Sequence, residues 1–285
     1  MNATTAVRGA GGIHLHVETW GDPGAPTVVL VHGYPDSSEV WRPVAERLAA
    51  STHVVAYDVR GAGRSGAPER LAGFDLDVLI DDLAAVLDAT SPDRPVYVVG
   101  HDWGSIQGWH AACGDRLTGR LSGFTSISGP PLDHVAAALR QRRRPARPTQ
   151  ALRSSYIAAF HLPGAPVVAG LLLGKDAARG IGLYRANVLP RLLHPRPRPA
   201  TVPVQLLVAL RDPFVLPSTL ADAERWAPDL QRVEIDAGHW VIRSHPDEVA
   251  DAILSACSSA PTRGRGSPTG RSPSPTAAGS ARRPS

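Results

Sequence analysis

Short apolar, β-branched runs recur along the chain, and a helical pattern follows most of them. Ile13 to Glu18 alternates apolar and polar positions, the period of a half-exposed strand. Gly21-Asp22-Pro23-Gly24 reads as a turn, and Thr27 to Val31 as a buried strand that runs straight into His32-Gly33-Tyr34-Pro35. A helix over Val40 to Ala50 and a strand over His53 to Tyr57 follow, the strand ending in Asp58-Val59-Arg60-Gly61-Ala62-Gly63-Arg64-Ser65. Leu76 to Leu87 is an amphipathic helix with paired acids at 81 and 82. The run Val96 to Val99 stops abruptly at Gly100-His101-Asp102-Trp103-Gly104, before a helix from Ser105 to Cys113 and a strand from Leu121 to Ser128. Such alternation predicts an α/β fold, a mostly parallel twisted sheet with helices on both faces. Thr5 to Arg8 would add an edge strand, making Leu121 to Ser128 the sixth.

The alternation breaks after Ser128-Gly129-Pro130-Pro131. From there to about Thr201 the pattern is helical, arginine-rich and interrupted by proline. Arg142-Arg143-Arg144-Pro145 reads as a solvated surface, and His194 to Pro199 as an extended return. Strand and helix then resume: a strand over Val202 to Leu210 ending in Arg211-Asp212-Pro213, a helix over Pro217 to Trp226, a strand over Leu230 to Ile235 ending in Asp236-Ala237-Gly238-His239, and a last helix over Pro246 to Cys257. The expected division is a core in two parts, 1–130 and 202–257, a helical lid over 131–201, and a tail over 258–285.

Composition narrows the setting. The chain has 285 residues, 43% of them hydrophobic, enough for one large domain with an insertion. No apolar run approaches the about 18 residues of a membrane span, and the N-terminus lacks the pattern of a secretory signal. Two cysteines, Cys113 and Cys257, make neither a disulfide framework nor a metal site, so a reduced, cytoplasmic setting is expected. The formal net charge is +4, but five arginines beyond Ser258 face no acid there, leaving −1 for residues 1–257. That tail is Ser/Pro/Gly/Arg-rich without apolar periodicity and is expected to be a disordered, solvated extension. Neither a nucleic-acid partner nor stable membrane insertion is expected. A single lysine, Lys175, among the many arginines is read as a bias of genome composition.

The candidate chemistry gathers at strand ends. Strand, sharp turn and helix around Asp102 form the pattern of a nucleophile elbow, with Gly100 and Gly104 giving the turn room to close. The usual serine is replaced by Asp102. A carboxylate nucleophile suits displacement at an sp³ carbon, where it forms an ordinary ester that water must then cleave at the Asp102 carbonyl. A base, an orienting acid and an oxyanion hole should therefore be present. His239 follows a late strand and Asp212 the strand before it, so Asp102, Asp212, His239 gives the order nucleophile, acid, base. Asp133, just past an earlier strand end, is the alternative acid. The backbone N–H groups of Tyr34 and Trp103 are the candidate oxyanion hole, in a loop shaped by His32, Gly33 and Pro35, with Pro35 expected to be cis.

Four motifs, His32-Gly33-Tyr34-Pro35, Gly61-Ala62-Gly63-Arg64-Ser65, Gly100-His101-Asp102-Trp103-Gly104 and Gly238-His239, together resemble the α/β-hydrolase-fold epoxide hydrolases over about residues 10 to 257. In that family two lid tyrosines hold the epoxide oxygen and protonate the leaving alkoxide. The first sits in Tyr-x-x-x-Phe-x-x-Pro-Gly, which matches Tyr156 to Gly164; the second sits in Tyr-Arg-x-Asn, which matches Tyr184-Arg185-Ala186-Asn187. The resemblance implies an α/β-hydrolase fold with a helical lid after the sixth core strand, conversion of a small apolar epoxide and water to a vicinal diol, and no metal or cofactor. Haloalkane dehalogenases share the nucleophile but often place Asn where Tyr34 stands; fluoroacetate dehalogenases usually have Arg where Trp103 stands. Asp36 to Trp41, Tyr57 to Ser65 and Ser126 to Pro130 are further similar to the hydrolase half of mycobacterial-type proteins fused to a short-chain dehydrogenase. No dinucleotide loop of the Gly-x-x-x-Gly-x-Gly type follows here, and the segment from Gly164 to Tyr184 is short for such a lid. A dehalogenase, a lid-truncated ligand-binding homologue and a homodimer stay open on sequence alone.

Overall fold

The register of the parallel strands decides where the chemistry can sit. In the computed structural model, which describes residues 3–141 and 154–259, the strands are β1 (Ala3–Arg8), β2 (His14–Trp20), β3 (Thr27–Val31), β4 (His53–Tyr57), β5 (Val96–His101), β6 (Leu121–Ile127), β7 (Val204–Ala209) and β8 (Leu230–Ile235). They form one sheet in the order β1-β2-β4-β3-β5-β6-β7-β8. β2 runs antiparallel to both β1 and β4, and the other neighbours are parallel. Val31 pairs with both Tyr57 and Gly100, and His101 pairs with Ile127. The loops after β3, β4, β5 and β6 therefore leave from one edge, where α/β sheets open their crevice.

β3 and β4 are buried along their whole length, and β5 likewise, because helices cover both faces. On one face lie α2 (Leu76–Thr90), started by the Asp75 side chain accepting from Asp77 N–H, and α3 (Trp103–Cys113). On the other lie α1 (Arg42–Leu48) and the last helix, Pro246–Ser259. Between β6 and β7 the chain leaves the sheet to form α4 (Leu132–Arg140), α5 (Ser155–Phe160), α6 (Ala165–Leu173) and α7 (Lys175–Leu193). The short α8 (Val241–Ser244) then precedes α9, the helix ending at Ser259. The insertion thus follows the sixth strand, as expected. Arg142 to Pro145 and almost all of the tail lie outside the described residues.

One expected element is replaced. Pro217 to Trp226 is not a continuous helix but two 3-10 turns, Pro217–Thr219 and Ala223–Arg225. Leu220 and Ala223 are its buried side chains. Ser218, Thr219 and Asp222 are residue types that compete with the helix for backbone hydrogen bonds, which favours turns.

A buried ion pair fixes the β4 loop. Arg60 grips Asp82 through two hydrogen bonds of 2.6 Å and donates also to the carbonyls of Gly73 and Ala10, each at 3.0 Å. Asp82 also accepts from Ala10 N–H at 2.8 Å. Both charged side chains are buried, and four of the five Arg60 donors are engaged in these bonds. Val59, the neighbour of Arg60, donates its N–H to His32 Nε2 at 2.9 Å. His32 Nδ1 lies 2.8 Å from the Gly33 carbonyl and so carries the proton. The imidazole is neutral, with burial lowering its pKa, and it clamps the β3 loop to the β4 loop. Replacing Asp82 by Ala strands the Arg60 charge. We expect a loss of about 3–5 kcal/mol, read as a lowered denaturant midpoint with an unchanged m-value.

Candidate active site

Asp102 stands alone between β5 and α3 with φ 53° and ψ −117°, a conformation costly for a side chain with a Cβ. Close approach explains the glycines around it. A Cβ on Gly104 would collide with the Val31 carbonyl, one on Gly100 with the Gly104 carbonyl, and one on Gly33 with the Asp102 carboxylate itself. The bend thrusts the carboxylate upward, where Oδ1 accepts from Tyr34 N–H at 2.7 Å and Trp103 N–H also bonds it. The Tyr34–Pro35 peptide bond is cis. Burial pushes the Asp102 carboxyl up to about 6, against the charge of His239 and the two backbone donors.

Loops after β7 and β8 bring the other two polar groups. His239 Nδ1 lies 2.8 Å from Asp212 Oδ2, and its Nε2 lies 3.7 Å from Asp102 Oδ2. Asp212 Oδ1 accepts from the N–H groups of Phe214 and Val215, at 2.7 and 3.0 Å. Burial disfavours the Asp212 charge, but His239 and these donors outweigh it and hold the carboxyl below its ordinary value. Burial likewise opposes charge on His239, and the Asp212 hydrogen bond with the charge of Asp102 reverses the effect and raises its pKa. Asp133 is spent elsewhere: its oxygens accept from Arg191 at 2.9 Å and from Arg196 N–H at 2.8 Å.

The insertion roofs this edge. Tyr184 on α7 is buried, its ring edge-on to Trp103 at 4.8 Å, to Phe160 at 4.9 Å and to Tyr34 at 5.3 Å. Tyr156 on α5 meets Tyr184 at 6.0 Å and Phe214 at 6.0 Å. Burial first, and the Asp102 charge second, push the Tyr156 phenol up to about 12 and Tyr184 well above its ordinary value, so both hydroxyls hold their protons. Gly180 lets α7 lie against the Tyr34 ring. Asn187 accepts from Leu76 N–H at 2.9 Å and donates to the Phe74 carbonyl at 2.8 Å, tying α7 to the start of α2.

Sequence reasoning missed several supports. His101 sits under His239, with Nε2 donating to the His239 carbonyl at 2.9 Å; burial pushes its pKa down to about 3 and keeps it neutral. Phe214 packs edge-on to His239 at 5.0 Å, and Trp240 donates to Asp36 at 2.9 Å beside it. Phe214 lies two residues past Asp212, and an aromatic so close to a strand-end acid is the one signal that could have marked it. Among the described residues no cluster of three His, Cys, Asp or Glu side chains could hold a metal ion.

An eight-stranded sheet of this order, with a strained strand–helix turn at Asp102 and a His–Asp pair on later loops, has the architecture of an α/β hydrolase. The chain belongs to the alpha/beta hydrolase fold family, which it matches over residues 26–172. It is 37% identical over 282 residues to the "Probable oxidoreductase EphD" of Mycobacterium tuberculosis, a match covering 85% of this chain and 47% of that protein. It is also 37% identical over 175 residues to "Epoxide hydrolase A" of the same organism, covering 59% of this chain and 50% of that one. The chain therefore spans about half the length of these mycobacterial relatives. A solved structure among epoxide hydrolases of the alpha/beta hydrolase superfamily from metagenomes of hot environments superposes with a TM-score of 0.77 at 26% identity, covering 89% of this chain and 97% of that chain.

The raised Asp102 carboxyl has a sign consequence. The native state binds its proton more tightly than the unfolded chain, so ionisation costs stability as pH rises from about 4 to about 6. Asp102→Asn removes that cost while keeping the oxygen that accepts from Tyr34. Its stability advantage over the parent should grow across that window and level off above it, reaching roughly 1–3 kcal/mol, as read by denaturant melts at stepped pH.

Proposed function

We propose that the chain is an epoxide hydrolase that turns a small apolar epoxide into a vicinal diol through an ester on Asp102. The carrying observation is convergence: the free oxygen of Asp102, the Nε2 edge of His239 and the ring edges of Tyr156 and Tyr184 gather at one sheet edge. The name of one relative, Epoxide hydrolase A, and that of the superposed structure point the same way. The helices of residues 131–201 serve as the lid, since they supply both tyrosines.

In the first stage Asp102 Oδ2 attacks an epoxide carbon and the ring C–O bond breaks. The departing oxygen takes a proton from a lid tyrosine, whose raised pKa keeps that proton in place until an alkoxide appears. In the second stage His239 Nε2 removes a proton from water, which adds to the Asp102 carbonyl carbon. The resulting oxyanion occupies the Oδ1 position, which accepts from Tyr34 N–H, while Trp103 N–H also bonds the carboxylate. Collapse breaks the bond from the Asp102 carbonyl carbon to Oδ2, the His239 imidazolium protonates the departing alkoxide to release the diol, and the proton of the carboxyl so formed returns to the tyrosinate, restoring carboxylate, imidazole and phenol. Asp212 fixes the Nδ1–H tautomer of His239 and balances the imidazolium. Metal and cofactor have no part in this cycle. The same reading places the protein in the cytoplasm; Cys113 and Cys257 are both free thiols.

Removing the base should strand the intermediate. Incubated with a panel of epoxides, His239→Ala should gain the mass of a whole epoxide on the Asp102 peptide. A haloalkane adduct less HX, with no epoxide adduct, would transfer the assignment to a dehalogenase. No adduct of either kind on a folded sample would remove the covalent mechanism. Tyr156→Phe should slow ester formation by about 10–100-fold while leaving ester hydrolysis within about twofold, as resolved by single-turnover kinetics; equal slowing of both stages would remove its role as acid.

A further inference from the structure

Helix α6 buries its small residues and exposes its large ones. It packs on α7 through Ala169, against Ala177 and Ile181, and a Cβ on Gly170 would lie 3.3 Å from that of Ala178. Its outward side chains are Val167, 66% exposed, Leu171, 82%, and Leu172, 75%. A short helix is normally held by burying residues of that kind, so this face forgoes its largest gain in water. Among the described residues nothing covers these side chains, and residues 1–2, 142–153 and 260–285 contain two large apolar side chains, Met1 and Leu152.

The charge of the insertion, counted along the sequence, is equally one-sided. Residues 131–201 carry Lys175 and eleven arginines against two acids, Asp133 and Asp176, a net +10; the rest of the chain therefore carries −6. Lys175 and Arg179, both exposed, follow α6 directly. A second copy docked through the same face would bring two +10 segments together. An anionic lipid surface satisfies both features at once, taking the apolar side chains among its acyl chains and the cations among its headgroups.

We propose that α6 and its basic surroundings dock this protein on an anionic lipid surface, with α6 lying in the interface plane. No helix among the described residues is long and apolar enough to span a membrane, so the attachment is peripheral. It also sets α5 and α7, which carry Tyr156 and Tyr184, next to the bilayer, where an apolar substrate concentrates. The docking itself does not depend on the epoxide reading.

Co-sedimentation of the full chain with phosphatidylcholine vesicles, with and without phosphatidylglycerol, tests this. The protein should pellet with the mixed vesicles and bind phosphatidylcholine alone at least about tenfold more weakly. Joint Leu171→Glu and Leu172→Glu substitution should cut partitioning at least about tenfold with an unchanged melting temperature, and Lys175→Glu with Arg179→Glu should erase the preference for phosphatidylglycerol. No pelleting of the parent protein overturns the proposal. So does undiminished binding of the Leu171/Leu172 variant, which would assign attachment to the arginine-rich tail. Self-association of the parent that this variant dissolves, without vesicle binding, would make a second copy the occupant.

Discussion

The backbone at Asp102 is the constraint on which the rest depends. A left-handed residue between β5 and α3 costs energy, and the turn closes only where neighbouring backbones come closer than a side chain permits. Gly33, Gly100 and Gly104 meet that demand from two different loops. In return the carboxylate is lifted out of the sheet into a spot where water is scarce and two backbone donors are fixed. A largely desolvated, imperfectly stabilised anion is unfavourable for folding and, in the proposed cycle, favourable for attack on carbon. The stability forgone at this position and the reactivity gained have one origin.

Fixing those donors takes a structure much wider than the site. The N–H of Tyr34 is aimed by a loop whose carbonyl at Gly33 is held by His32, whose other nitrogen is held by Val59, whose neighbour Arg60 is locked to Asp82 in α2. On the far side His101 holds the carbonyl of His239. Both supporting histidines are neutral because burial leaves no room for a further proton, so each has one donor and one acceptor and a single way to sit. Tautomers chosen by the fold give these loops a rigidity that side chains able to change charge would not.

The strands, their order along the chain and the positions of Asp102, His239 and Asp212 were legible because each depends on local pattern: an apolar run, its end, and a polar residue just beyond. Tyr156 and Tyr184 were legible only through motif resemblance. What stayed hidden was pairing at a distance. Asp82 looks like one of two acids on a helix; the period sets it on the buried face with Leu79 and Val86, but its partner, Arg60, lies far along the chain where no local pattern announces it. Asn187 reads as an ordinary helix residue until the start of α2 is seen to need its amide. The stretch from Pro217 to Trp226 misled for the opposite reason: its apolar spacing fits a helix, but local side-chain competition divides it into two turns.

The charge on Asp102 reaches beyond its own hydrogen bonds. It raises the pKa of Tyr34, Tyr156, Tyr184 and His239 together. In the proposed cycle that charge disappears when the ester forms. The tyrosines then become stronger acids just as an alkoxide needs a proton, and the imidazole loses part of its reason to be protonated just as water needs a base. One vanishing charge acts as a clock for the site, ordering the two stages without any movement of the chain.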